Sequence, residues 1–284
     1  MRGRCGTGVK NGAGSRISTG IRVGVALVAA GSLALAARVL LTRQAAIARA
    51  RIGKPLGETS IDADRVWRSA LDGEPVELLV LGDSLAAGLG AERRKETLGG
   101  RVAKGLAARV HRPVRLHTAA IVGSESHMLA EQLDGLPNAN RADIAVIVVG
   151  GNDVTHLISA ESASRHLERA ISRLREQGTR VVVGTCPDLG SLRPVPQPLR
   201  ALLSRMSMRM AWAQARACRR AGAVPVDLRR AVGPIFRADP GEMFSLDQFH
   251  PSAAGYRRTA EALLPAVIDA VIGQAQPMLQ SQTR

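Results

Sequence analysis

Ile144-Ala145-Val146-Ile147-Val148-Val149-Gly150-Gly151-Asn152-Asp153 is a run of six apolar residues that stops at two glycines, an amide and an acid. A strand with no polar position has no face to offer water, so both of its faces must be covered. That is the pattern of a parallel sheet packed between helices. Upstream, Glu77 to Leu81 forms a similar short run that ends at Gly82-Asp83-Ser84-Leu85. Leu98, Val102, Leu106 and Val110 then recur every four residues, as on the buried stripe of a helix. Pro113 to Thr118 reads as a second strand leading into Ala119-Ala120-Ile121-Val122-Gly123. Downstream, a helix starts at Ser159, buries Leu167, Ile171 and Leu174, and ends at Gly178. Val181 to Val183 is a fourth strand, followed by a proline-rich loop (Pro187 to Pro198) and a helix from Leu199 to Ala221. Ala223 to Leu228 is a fifth, weaker strand. A last helix carries Tyr256, Ala260 and Leu263, and Pro265 should break or kink it. The alternation predicts an α/β, doubly wound three-layer sandwich with a five-stranded parallel sheet.

The net charge of +15 is a property of one end of the chain. Residues 1–54 hold ten Lys or Arg and no acid, which leaves a net charge of +5 for the remaining 230 residues. Basicity so placed argues against nucleic acid as a partner of the folded part. Within this segment Val23 to Ala37 is uncharged and apolar. Its 15 residues suit the core of a signal peptide, and extending it from Ile21 to Leu41 gives an uncleaved anchor with Arg22 and Arg38 at its ends. Five basic residues on each side leave the orientation open. The expected organisation is a basic leader (1–22), a signal peptide or membrane anchor forming an apolar helix (23–41), a linker (42–60), the α/β domain (61–275) and a flexible tail (276–284). Export or anchoring places the protein in a bacterial cell envelope, associated with membrane through its N-terminal segment. Cys5, Cys186 and Cys218 do not make a disulfide framework, because Cys186 and Cys218 belong to opposite ends of the sheet.

In a doubly wound sheet, ligands collect beyond the carboxyl ends of the strands. Three polar turns fall there: Gly82-Asp83-Ser84-Leu85, the turn at Gly123, and Gly150-Gly151-Asn152-Asp153. Late in the chain, Asp247-Gln248-Phe249-His250 precedes the last helix and can close over the same edge. A serine at a strand-to-helix turn, an imidazole, and an acid three positions before it are the parts of an activated-hydroxyl catalyst. Asp83 and Asp153 read as acceptors that tie turns to backbone amides. His156, three residues beyond Asp153, is placed at the pocket border with Asp83, Leu85 and Asp153. His111, His117, His127 and His166 read as surface or internally satisfied histidines. No set of residues has metal-ligand spacing, and no Gly-Lys-Ser/Thr follows Gly150-Gly151 to make a phosphate loop, so neither metal nor cofactor is expected.

These four blocks resemble the SGNH hydrolases, also called the GDSL family, over residues 76–272. The motif Gly82-Asp83-Ser84-Leu85-Ala86-Ala87-Gly88 is most similar to the bacterial thioesterase and lysophospholipase branch. The resemblance implies a flavodoxin-like fold, Ser84 as nucleophile, His250 as general base and Asp247 as the carboxylate that orients it. It also implies an oxyanion hole made of the Ser84 and Gly123 amides and the Asn152 side chain. Ala119-Ala120 departs from the family, which often has Asn before its second-block glycine. The Gly-x-Ser-x-Gly elbow of the larger α/β-hydrolase family is absent.

The expected function is a serine esterase acting through an acyl-enzyme on a small-molecule or lipid ester. With aromatics at 2% of the chain and no long insertion after Gly123 or Asn152, short to medium acyl chains are favoured. The Pro187–Pro198 loop is expected to form one wall. The alternatives are an envelope O-acyltransferase or deacetylase, a lysophospholipase or thioesterase, and a membrane-tethered module that binds without catalysis.

Overall fold

The computed structural model describes residues 13–136 and 141–281, with side chains from residue 31 to residue 273. The chain divides into two compact units, residues 1–46 and 47–284. Residues Ala13–Ile52 form a single helix, α1. The linker expected at 42–60 is therefore helical as far as Ile52. The apolar helix expected over 23–41 is not found as a separate element. Among the described residues, no helix is long and apolar enough to cross a membrane. The side chains of residues 23–30, and Cys5, lie outside the described set.

The second unit is an α/β sandwich. Its strands are β1 (Val66–Trp67), β2 (Val76–Gly82), β3 (Val114–Thr118), β4 (Ile144–Val148), β5 (Arg180–Gly184) and β6 (Val224–Val226). They lie in the order β1-β3-β2-β4-β5-β6. β2 to β6 are all parallel, and β1 pairs antiparallel with β3. The sheet is thus mixed and six-stranded, where the sequence predicted five parallel strands. Its helices are α2 (Ser84–Ala87), α3 (Leu98–Val110), α4 (Leu129–Asp134), α5 (Gly151–Thr155), α6 (Ala160–Glu176), α7 (Leu199–Ala221), α8 (Leu228–Ala231), α9 (Gly233–Ala238), α10 (Pro240–Met243) and α11 (Ala253–Ser281).

Side chains alternate across a strand, and here the alternation feeds two cores. Leu78 and Val80, with Ile144, Val146 and Val182, share one core with Val102 and Leu106 of α3 and Tyr256 and Leu263 of α11. Leu79 and Leu81, with Ala145, Ile147, Val181 and Val183, share the other with Leu129 of α4 and Leu167, Ile171 and Leu174 of α6. Ser159 caps α6, its Oγ accepting from the Ser162 amide at 3.1 Å. α11 runs on through Pro265 instead of ending there. Leu263 and Val267 are fully buried on either side of that proline, so packing offsets the amide it removes. Cys186 and Cys218 are free and buried.

Candidate active site

The site is assembled where β2 and β4 end side by side. Gly82, the last residue of β2, sits at φ +133°, and a Cβ there would lie 1.8 Å from the Val148 carbonyl oxygen. Glycine alone lets the two strand ends approach this closely. The next residue, Asp83, is buried and caps α2, its Oδ1 accepting from the Leu85 amide at 3.0 Å. The Gly151 amide, at the start of α5, is near enough to lower this carboxyl slightly. One buried acid therefore faces the first turns of α2 and α5. It ties Ser84 on one helix to Asn152 on the other.

Ser84 Oγ lies 2.9 Å from His250 Nε2, and His250 Nδ1 lies 2.5 Å from Asp247 Oδ2. With Nδ1–H donating to the carboxylate, Nε2 is left to accept the Ser84 hydroxyl proton. The loop carrying the acid and the imidazole is itself a closed turn. Asp247 Oδ1 accepts from the Phe249 and His250 amides, both at 2.9 Å, while the Ser245 amide donates to the His250 carbonyl at 2.8 Å. A spacing of three lets one oxygen hold the turn while the other meets the ring. Burial by itself would push the Asp247 carboxyl up, but the bonds from the His250 ring and the two amides outweigh it and hold the group below the ordinary Asp value. Tyr256 Oη, fully buried, donates to the Leu89 carbonyl at 2.7 Å and fastens the start of α11 to the chain just beyond α2.

The loop after β3 is tied to α5 in the same manner. Asn152 Nδ2 donates to the Ser124 carbonyl at 2.9 Å. Asp153 accepts from the Ser126 amide at 3.1 Å and from its hydroxyl at 3.0 Å. Burial raises the Asp153 carboxyl against the lowering effect of these bonds. Gly123 belongs to this loop at φ +85°, and the space beside its Cα is open. The backbone turn, and no crowding, is what requires glycine there. Two buried glutamines complete the frame. Gln132 exchanges hydrogen bonds with both backbone groups of Gly82 (2.9 and 2.8 Å) and holds Ser124 Oγ, and Gln214 joins the Cys186 amide to the Val149 carbonyl.

Ser84, Asn152 and His250 line one cavity together with Asp83 and Leu85. Pro187, Asp188, Leu189 and Leu192 of the proline-rich loop supply one wall, as the sequence implied. Further lining, which the sequence reading missed, comes from Leu228, Val232, Phe236, Phe244 and Phe249. The chain has three phenylalanines, and all of them are here. Asp188 clamps the wall: buried, it accepts from Arg229 at 2.7 Å and from Ser204 Oγ at 2.8 Å, and it pairs with Arg237. Asp153 and His156 do not line the cavity. Asp153 is spent on Ser126, and the His156 ring is turned outward with Nδ1 2.6 Å from Glu125. Among the described residues no group of three or more His, Cys, Asp or Glu could hold a metal ion.

Asp83 sets an expectation for stability. Burial pushes its carboxyl up to about 6, against the lowering effect of the Leu85 amide and the charge of His250. A carboxyl raised in the folded state disfavours folding once it ionises. The group is neutral at no cost in both states below the unfolded value near 4. The cost develops as pH rises from about 4 to about 6, where only the unfolded chain ionises, and is complete above that. The stability of the wild type relative to Asp83→Asn should fall by on the order of 3 kcal/mol between pH 4 and pH 7. Paired thermal unfolding series would measure it, and a difference that stays flat with pH would show that Asp83 ionises as an exposed acid does.

The family model described as GDSL-like Lipase/Acylhydrolase matches residues 80–258. A GDSL-like esterase of Mycobacterium tuberculosis is 40% identical over 264 residues, covering 87% of this chain and 83% of that protein. Two solved structures share the fold: a lipase/acylhydrolase from Enterococcus faecalis (TM-score 0.54, 20% identity, 66% of this chain and 93% of that one) and an acetylxylan esterase from Geobacillus stearothermophilus (TM-score 0.55, 17% identity, 69% and 95%). The chain belongs to the GDSL-like lipase/acylhydrolase family, and by that membership it is a carboxylic ester hydrolase.

Proposed function

We propose that the protein is a serine esterase for short acyl esters, working through an acyl-enzyme with Ser84, His250 and Asp247 as its triad. The single observation that carries this is the unbroken contact from the Ser84 hydroxyl through both His250 nitrogens to the Asp247 carboxylate, at the mouth of an apolar cavity. Ser84 Oγ attacks the ester carbonyl as His250 Nε2 takes its proton. The carbonyl oxygen becomes an oxyanion, held by the Ser84 and Gly123 amides and Asn152 Nδ2. Collapse breaks the ester C–O bond, and His250 returns the proton to the departing alcohol. Water enters and repeats the sequence, releasing the acid and regenerating Ser84. Asp247 keeps the imidazole in the tautomer that can accept, and offsets its positive charge after transfer.

The acyl preference is read from the cavity. It offers about 70 Å³ beside Ser84, and a water-sized group takes roughly 10–15 Å³. That is room for an acyl group of a few heavy atoms. Acetyl to butanoyl p-nitrophenyl esters should therefore exceed the octanoyl ester in kcat/KM by about tenfold or more, since each misfitting methylene costs roughly 1–3 kcal/mol. Val232→Ala removes two buried methyls from the lining and should shift the optimum upward by about two carbons. A chain-length series with an unchanged optimum would place the acyl group elsewhere.

For location, the basic leader and the uncharged Val23–Ala37 stretch support export or anchoring in a cell envelope. Fractionation of cells with N-terminal sequencing of the natural protein tests this, and a soluble cytoplasmic chain with its leader intact would refute it.

A further inference from the structure

A second concavity lies on the catalytic unit, away from Ser84. It encloses about 460 Å³ between α3, α11 and the segments preceding α3. Its rim carries Arg68, Lys95, Arg101, Lys104 and Arg257, opposed by the carboxylates of Glu96 and Glu261. Five cations from four separate stretches of chain thus converge on one hollow. Among the described residues, the side chains of Arg68, Lys95, Lys104 and Arg257 form no ion pair or hydrogen bond. Glu261 is in addition engaged by Arg258 at 3.3 Å.

The hollow is built rigidly. Gly105 lets α11 come close, since a Cβ there would meet Leu264 at 2.6 Å. Arg101, half-buried in the wall, is fixed by bonds to the Ala253 carbonyl at 2.7 Å and the Glu96 carbonyl at 3.3 Å. Arg68 is held at φ +56°, a left-handed conformation that side-chain-bearing residues adopt only at a cost. Like charges gathered in a concavity repel one another, and the fold gains nothing from the gathering. Burial acts most strongly against the Arg101 cation and the proximity of Arg257 adds to it, while Glu96 and Glu261 favour the charge without offsetting the burial. Cations spread over a solvated face would carry no such penalty.

We propose that this groove binds a phosphorylated ligand, one presenting two or more negative charges, at a site distinct from the esterase cavity. Guanidinium and ammonium groups left without partners suit phosphate oxygens, with Arg68 and Arg257 offering forked donors and the lysines point charges. The net surplus of three positive charges matches a diphosphate better than a lone carboxylate. The phosphate can be free or carried by a lipid headgroup, and two measurements on the full chain separate these sources.

The first is calorimetric titration with inorganic pyrophosphate at constant ionic strength, comparing wild type with Lys104→Glu/Arg257→Glu. A control, Arg109→Glu/Arg219→Glu, changes the net charge equally at exposed positions outside the groove. The second is co-sedimentation of the same three proteins with cardiolipin vesicles, whose headgroup carries two phosphates. The site predicts saturable one-to-one pyrophosphate binding that weakens at least about tenfold in the groove variant but not in the control. Hydrolysis of p-nitrophenyl acetate should be unchanged in all three. Vesicle binding reduced in the groove variant alone would identify a lipid headgroup as the source, and pyrophosphate loss without vesicle loss a soluble ligand. Equal weakening in groove variant and control, or no saturable binding to either probe, would overturn the proposal.

Discussion

Ser84→Ala should lower the turnover of p-nitrophenyl acetate by roughly 10⁴-fold or more while leaving thermal stability nearly unchanged. The size of the activity loss follows from the chemistry: without an attacking oxygen, only binding and oxyanion stabilisation remain. The small stability change follows from the contacts. Ser84 Oγ is bonded to His250 Nε2, and His250 keeps its carboxylate partner and its turn when that hydroxyl is gone. Asp247→Asn tests the other end of the relay and should lose about 10⁴-fold in kcat, by a different route. An amide NH₂ facing Nδ1 favours the tautomer with hydrogen on Nε2, which cannot accept from serine. Labelling with a fluorophosphonate should vanish in Ser84→Ala and slow strongly in Asp247→Asn. Equal turnover by wild type and Ser84→Ala would remove Ser84 from the reaction.

The parts of this site that could be read in the sequence are those whose local pattern has one physical meaning. Continuous apolar runs ending in Gly82 and Gly150 force buried parallel strands, and a strand end in a doubly wound sheet is where a site must lie. Asp83 and Asp153 as ties to backbone amides could also be read, because a short acid beside a turn has few other uses. β1 could not. Two residues paired to Val114 and Arg115 owe their conformation wholly to β3 and leave no periodic trace. The aromatic lining was hidden for a related reason. Phe236 and Phe244 sit in and beside the short helices α9 and α10, where no period shows which way a side chain points. His156 misleads in the opposite direction. It is near Asp153 in sequence, but α5 is a single turn and directs that ring to Glu125. Gln132 and Gln214 look like ordinary helix polars, and only the fold shows each satisfying backbone groups at a strand end.

Asn152→Ala should reduce kcat by about 10²- to 10³-fold with KM changed by no more than a few-fold, because an oxyanion donor acts on the transition state and hardly on the bound ester. On the proposed mechanism the residue has two tasks that the variant removes together. One Nδ2 hydrogen is committed to the Ser124 carbonyl and braces the loop that carries Gly123. The second is available to the cavity shared with Ser84 and His250. Ser126→Ala separates bracing from donation: it deletes the 3.0 Å hydroxyl bond to Asp153 yet keeps the amide bonds from the same residue. That variant should lose on the order of 1 kcal/mol of stability and less than about tenfold in kcat. Asn152→Asp should be worse than the alanine variant, since a carboxylate lining the cavity repels the charge that develops on the carbonyl oxygen. If Asn152→Ala instead raises KM and spares kcat, the side chain holds the ground-state ester and the oxyanion rests on the backbone amides alone. If Ser126→Ala falls as far as Asn152→Ala, the loop's position, and not the amide's hydrogen, governs the rate.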